Sequence, residues 1–323
     1  MMNDDDDDAL MLSESDQMKL DVFMEMFHFV QIIVLITFAI CTILGNTLVL
    51  VATWRERSLH QPNKYFIACL AIADLLVGMI LEPLELYQNT LDGEWQRTRS
   101  IHLCRFMVWI DTFALSASIY TLTFISFDRY LKITKPLQYR VRMTTSKSLK
   151  IIFVIWLLTT AFATYAATPN SGSLGILATS EEHCSPVDDN KITEFYTFLA
   201  VCAFFLPTVV ILVMYALIFV VVHKRQKMLR NGELGQTCND RNQRRAFLQD
   251  LKTIRMLLVV VGVFVLCWGP YFICLFCYPN SADSDNRSLS YWYLVHAGGV
   301  VVKTLPLFNS LCNPIIYACL DQT

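Results

Sequence analysis

Apolar residues in this chain gather into seven long runs separated by short polar stretches. The runs are Phe29 to Trp54, Lys64 to Tyr87, His102 to Ile133, Leu149 to Thr168, Phe195 to His223, Leu251 to Tyr278 and Ser290 to Leu320. A bilayer core about 30 Å thick takes roughly 20 mostly apolar residues in helical form, so each run is long enough to cross. Asp74, Asp111, Pro207 and Pro270 interrupt the runs without ending them, because neighbouring helices or water satisfy polar groups and prolines inside a bundle. The pattern predicts an all-α fold, a seven-transmembrane helix bundle over residues 29–320. An acidic tail (1–28) precedes it, the largest loop covers about 224–249, and a very short terminus (321–323) follows.

Composition agrees: 54% of residues are hydrophobic and 17% charged, which places the chain among membrane proteins. Orientation follows from the basic residues. Arg55 and Arg57, then Lys132, Lys135, Arg140 and Arg142, then Lys224, Arg225, Lys227 and Arg230 fall at the ends of spans one, three and five or in the loops after them. By the positive-inside rule these loops are cytoplasmic and the N-terminus is extracellular. The run Asp4 to Asp8 reads as a solvated tail. No cleavable signal pattern precedes the first span, which is expected to insert as its own anchor.

Most of the eleven cysteines lie inside apolar runs, where a thiol acts as a small buried hydrophobe. Cys104 and Cys184 instead face the oxidising side, and a disulfide between them is expected to hold the second outer loop over the bundle. Asn286, followed by Arg287 and Ser288, is a glycosylation acceptor in the third outer loop.

Charges inside spans are costly, at least about 2.5–3.5 kcal/mol each at mid-bilayer, and mark functional candidates. They form three layers. At 1.5 Å per residue, Asp111 stands about 10 Å outward of Ser118 on the third span, and Arg129 about 16 Å inward of it. The inner layer is Asp128, Arg129 and Tyr130, with Asp250 at the start of span six. It reads either as a releasable ion-pair switch or as a local salt bridge that sets topology. The middle layer joins Asp74 with Ser118, Asn46, Asn309 and Asn313. One carboxylate ringed by hydroxyl and amide oxygens suits a sodium ion; the competing account is a protonated structural aspartate.

The outer layer centres on Asp111, with Trp268, Tyr271 and Phe272 on span six. A carboxylate beside aromatic faces suits a small organic ammonium. Lys303 on span seven lies at a similar depth and offers the alternative of an internal salt bridge, with Asp111 or with Glu82.

These residues carry a resemblance. Gly45-Asn46, Leu70 to Asp74, Asp128-Arg129-Tyr130, Trp156, Pro207 with Tyr215, Cys267 to Pro270 and Asn313 to Tyr317 occur in order, one set per span. The chain resembles the rhodopsin-like, class A G-protein-coupled receptors over nearly its whole length. Asp111 and the stretch from Ile125 through Leu137 are similar to the aminergic branch, reading like muscarinic and histamine receptors.

The resemblance implies a plasma-membrane receptor, not an enzyme. It would be activated by an extracellular small ligand, signal to heterotrimeric G proteins, and require no cofactor. Its ligand pocket would comprise Asp111, Thr112, Leu199, Ala203, Trp268, Tyr271, Phe272, Lys303 and Leu307. Ile119, Pro207 and Phe264 would relay packing beneath it, and Arg129, Tyr215 and Tyr317 would rearrange on activation, with Leu137 meeting the G protein. A biogenic amine at Asp111 is the first expectation; a peptide or a zwitterionic or acidic metabolite engaging Lys303 is the alternative.

The pocket departs from familiar subtypes. Leu199, Ala200 and Ala203 replace the serines of catecholamine receptors, and Phe272, Lys303 and Leu307 replace the polar residues of muscarinic ones. The chain also stops at Thr323, where the family usually continues into a surface helix and tail; a truncated sequence and weak tail-dependent regulation both fit. No paired carboxylates, nucleophile with base, or phosphate loop supports an enzyme. A transporter would show paired halves with broken helices, which seven unlike spans do not provide. A decoy receptor should have lost Arg129 or Tyr317, and both are present.

Overall fold

The computed structural model describes residues 14–55, 63–90, 101–168, 171–173, 189–230, 238–277 and 289–321. Among them every regular element is helical, and seven helices are long and apolar enough to cross a membrane. The first span is α1 (Glu14–Arg55). The second is α2 (Asn63–Leu76), a π-turn (Val77–Leu81) and α3 (Glu82–Thr90). The third is α4 (Ile101–Thr134), followed by the short α5 (Pro136–Arg142). The fourth is α6 (Thr145–Ala166). The fifth is α7 (Asp189–Leu199), a π-turn (Ala200–Phe205) and α8 (Leu206–Arg230). The sixth is α9 (Cys238–Cys277) and the seventh α10 (Leu289–Asp321).

The expected spans all form, but the helices overrun them. α1 begins at Glu14, so half of the tail expected over 1–28 is helical; its 42 residues extend about 63 Å, twice the hydrocarbon thickness. The helices after span five and before span six likewise enter the expected loop, to Arg230 and from Cys238. Apolar patterning reports the membrane-crossing part of a helix, and backbone hydrogen bonding carries the helix past it.

Local signals set several boundaries. Pro136 opens α5 at a position where its missing N–H costs nothing. Thr144 caps α6, its hydroxyl accepting from the Lys147 amide at 3.4 Å. Pro270, Pro306 and Pro314 sit inside helices. Pro207 follows the π-turn of span five, at the second residue of α8.

The third span is the axis of the bundle. In its most apolar window 78% of residues are buried, against 17% in the first span, which lies at the rim. Packing around α4 is keyed by polar contacts: Trp156 Nε1 donates to Cys69 Sγ at 2.9 Å, and Cys69 Sγ lies 3.7 Å from Thr121 Oγ1, joining spans two, three and four. Span one closes against span seven, where Asn46 Nδ2 donates to the Ser310 carbonyl at 3.2 Å. Gly45 permits this approach, since a Cβ there would stand 3.0 Å from Pro314.

Candidate functional site

The three layers read from the sequence are stacked along α4. At the inner end Asp128 and Arg129 are both buried, and Arg129 Nη2 lies 3.5 Å from Asp128 Oδ2. Tyr139, on α5, donates its hydroxyl to Asp128 Oδ1 at 2.9 Å. The second inner loop is thereby tied to the ion pair, a contact that spacing along the chain did not reveal. The helix carrying Asp250 is present, but its side chain, like that of Leu137, lies outside the described residues. Tyr317 turns a buried hydroxyl oxygen into the bundle with no hydrogen bond, Tyr215 is buried with its hydroxyl beside Ser126 and within electrostatic reach of Arg129, and Tyr130 is half-buried.

Beside this end lies a cavity of about 300 Å³, walled by Phe124, Phe127, Leu131 and Tyr139 and bordered by Lys135 and Lys147.

In the middle layer Asp74 is fully buried and accepts from Asn313 Nδ2 at 2.8 Å. Ser118, Asn309 and Asn313 are buried with it. Asp74 Oδ1, Asn309 Oδ1 and Asn313 Oδ1 accept no hydrogen bond, which leaves three oxygen acceptors inside the bundle with donors still to find. A cavity of about 20 Å³, room for one water-sized particle, touches Ser118, Asn309 and Ser310 on one side and Asp111 and Trp268 on the other. The middle and outer layers thus communicate.

In the outer layer Asp111 is 1% exposed. Thr112, Leu199, Ala203, Trp268, Tyr271, Phe272 and Leu307 are also buried. The aromatic wall is continuous: Trp268 meets Tyr271 edge-on at 6.2 Å, Tyr271 meets Phe272 at 5.4 Å, and Phe272 stacks on Phe204 at 4.7 Å. Tyr271 is close enough to interact electrostatically with both Asp111 and Tyr196. Beneath, Ile119 and Phe264 are wholly buried and Pro207 is buried, with Phe264 6.3 Å from Trp268.

Lys303 does not share this burial; its side chain is exposed, with interactions of its own. Depth along a helix predicts level but not direction, which is why it read as a pocket-lining residue.

Sequence reading missed Tyr196 and Phe204, both buried on span five. The π-turn over Ala200–Phe205 adds a residue to one turn and shifts the register, so a regular helical wheel misplaces what precedes it. Tyr120 donates to the Cys202 carbonyl inside that turn at 3.1 Å, supporting it from span three. Glu82, considered only as a partner for Lys303, is 1% exposed. Cys104 is disulfide-bonded, while Cys184 and Asn286 lie outside the described residues.

Residues 45–317 match the family described as 7 transmembrane receptor (rhodopsin family). The chain belongs to that family. The receptor is a multi-pass membrane protein, and the family is one of receptors, not enzymes. Its relatives include the Alpha-1A adrenergic receptor of Oryzias latipes, 30% identical over 88% of this chain and 63% of that receptor. The Trace amine-associated receptor 13c of Danio rerio is 32% identical over 85% of this chain and 77% of its own length. The 5-hydroxytryptamine receptor 7 of Xenopus laevis is 28% identical over 90% and 73%. The chain therefore spans under two thirds of the adrenergic relative and about three quarters of the others. These relatives are aminergic members of the family, the branch to which the motifs pointed.

Proposed function

We propose that this receptor binds a biogenic amine at Asp111 from the extracellular side of the plasma membrane and signals to heterotrimeric G proteins through its inner end. The observation that carries the reading is a carboxylate 1% exposed in mid-bundle beside the aromatic wall of Trp268, Tyr271 and Phe272. A buried carboxylate favours a cation there, and aromatic faces add cation–π attraction of about 0.5–2 kcal/mol. The names of the relatives support the same ligand class. Buried, apolar Leu199 and Ala203 on span five favour an amine with few polar substituents.

At the inner end, release of Arg129 from Asp128 would open the face that meets the G protein, with Tyr139 and α5 as the element that follows Asp128. Asp74, Asn309 and Asn313, with their uncommitted oxygens, and Ser118 beside them suit a sodium ion as an allosteric ligand. Cys104 is assigned Cys184 as its partner, with the N-terminus and Asn286 extracellular.

The test is a G-protein activation screen of the full chain against a panel of biogenic amines, with Asp111→Asn beside it. A response reduced about a hundredfold or more in the variant, at normal surface expression, is expected. Potency unchanged in the variant removes Asp111 as the anchor. Arg129→Ala should abolish nucleotide exchange while ligand binding persists. Silence across the panel would favour the alternative ligand, an acidic or peptide one reaching the exposed Lys303.

A further inference from the structure

The second span carries a carboxylate that the bundle leaves unanswered. Glu82 is 1% exposed, and neither Oε1 nor Oε2 accepts a hydrogen bond. A carboxylate held out of water without donors or a counter-charge is strongly disfavoured, so such a group is either held as the neutral acid or met by a cation.

Register and depth place Glu82 at the ligand level. Eight residues of regular α-helix turn through about 800°, which would rotate Glu82 about 80° away from Asp74. The π-turn over Val77–Leu81 takes up one extra residue, about 100°, and returns Glu82 to within about 20° of the face that Asp74 turns inward. The two carboxylates accordingly interact electrostatically. The contact between Cys69 and Thr121 fixes the relative height of spans two and three. From that contact Glu82 lies thirteen residues outward on one helix and Asp111 ten on the other, roughly 20 Å and 15 Å, or within about one helical turn of each other. Leu81, beside Glu82, lines the same small cavity as Asp111.

A monoamine on Asp111 leaves Glu82 unanswered, whereas a dication meets both.

We propose that Glu82 is a second cation subsite and that the preferred ligand is a short linear diamine or polyamine, one ammonium on Asp111 and the other on Glu82. The proposal rests on the amine reading above. Packed helix axes stand about 8–10 Å apart, so two inward-reaching carboxylates call for charges separated by only a few methylenes, crossing the apolar surface of Leu81 and Leu115.

The test compares diamines with monoamines of equal chain length: putrescine against butylamine and cadaverine against pentylamine, in G-protein activation by the full-length chain, with Glu82→Gln, Glu82→Asp and Asp111→Asn, each checked for surface expression. Diamines should be about tenfold or more potent than their monoamine counterparts. Glu82→Gln should collapse that gap, and Glu82→Asp should restore it with a preference for the longer diamine. Asp111→Asn should lose both kinds of ligand. If monoamines act through Asp111 but diamines gain nothing, or the gap survives Glu82→Gln, the second subsite is wrong and the amine reading stands. If neither kind acts on a receptor present at the surface, both fall together.

Discussion

Asp74 and Glu82 are two buried carboxylates on one helix, brought to nearly one face by the π-turn between them, and the bundle treats them differently. Asp74 accepts from Asn313 at 2.8 Å and belongs to a polar layer shared by spans one, two, three and seven. Glu82 accepts from nothing, among apolar neighbours such as Leu81. The difference separates a charge that holds the helices together from one that awaits a partner. In hydrocarbon an unanswered charge is costly enough that its position marks where a ligand contributes what the protein does not.

The comparison can be broken by stability measurements on the ligand-free receptor. Asp74→Ala leaves the buried Asn313 amide without its acceptor and should destabilise by about 1–3 kcal/mol, read as a lowered midpoint in thermal unfolding. Asn313→Ala combined with it should add little further, because the two residues form one contact.

Glu82→Leu should act in the opposite direction. Replacing an unanswered carboxylate with a similar apolar side chain should raise the midpoint, by about 1 kcal/mol or more, while diamine potency falls. A midpoint lowered as far as in Asp74→Ala would show that Glu82 is structural after all.

The smallest effect is expected at the inner end, where the comparison extends to Asp128, a carboxylate held by both Arg129 and Tyr139. Tyr139→Phe removes one hydrogen bond, about 0.5–1.5 kcal/mol, and should raise ligand-independent nucleotide exchange a few-fold without changing folding. Unchanged basal exchange would detach α5 from the switch.

Much of this was legible along the chain. Seven spans follow from hydropathy, because an element that crosses a bilayer must satisfy its backbone internally and present apolar side chains to lipid. Asp74, Asp111 and Arg129 stood out because charge inside a span is rare and costly. The directions of Lys303 and Glu82 did not follow from the residue pattern, for related reasons. Lys303 has the right depth but an exposed direction, and Glu82 owes its direction to a π-turn that no residue pattern announced.

The sequence by itself therefore determined the number and order of the helices and the charged layers, since these depend on the transfer of each residue between water and lipid. The tertiary structure decided which of the buried charges are answered. That outcome depends on helix rotation and on contacts between residues far apart in the chain, such as Asn313 with Asp74 and Tyr271 beside Asp111, where one extra residue in a turn moves a side chain by about 100°.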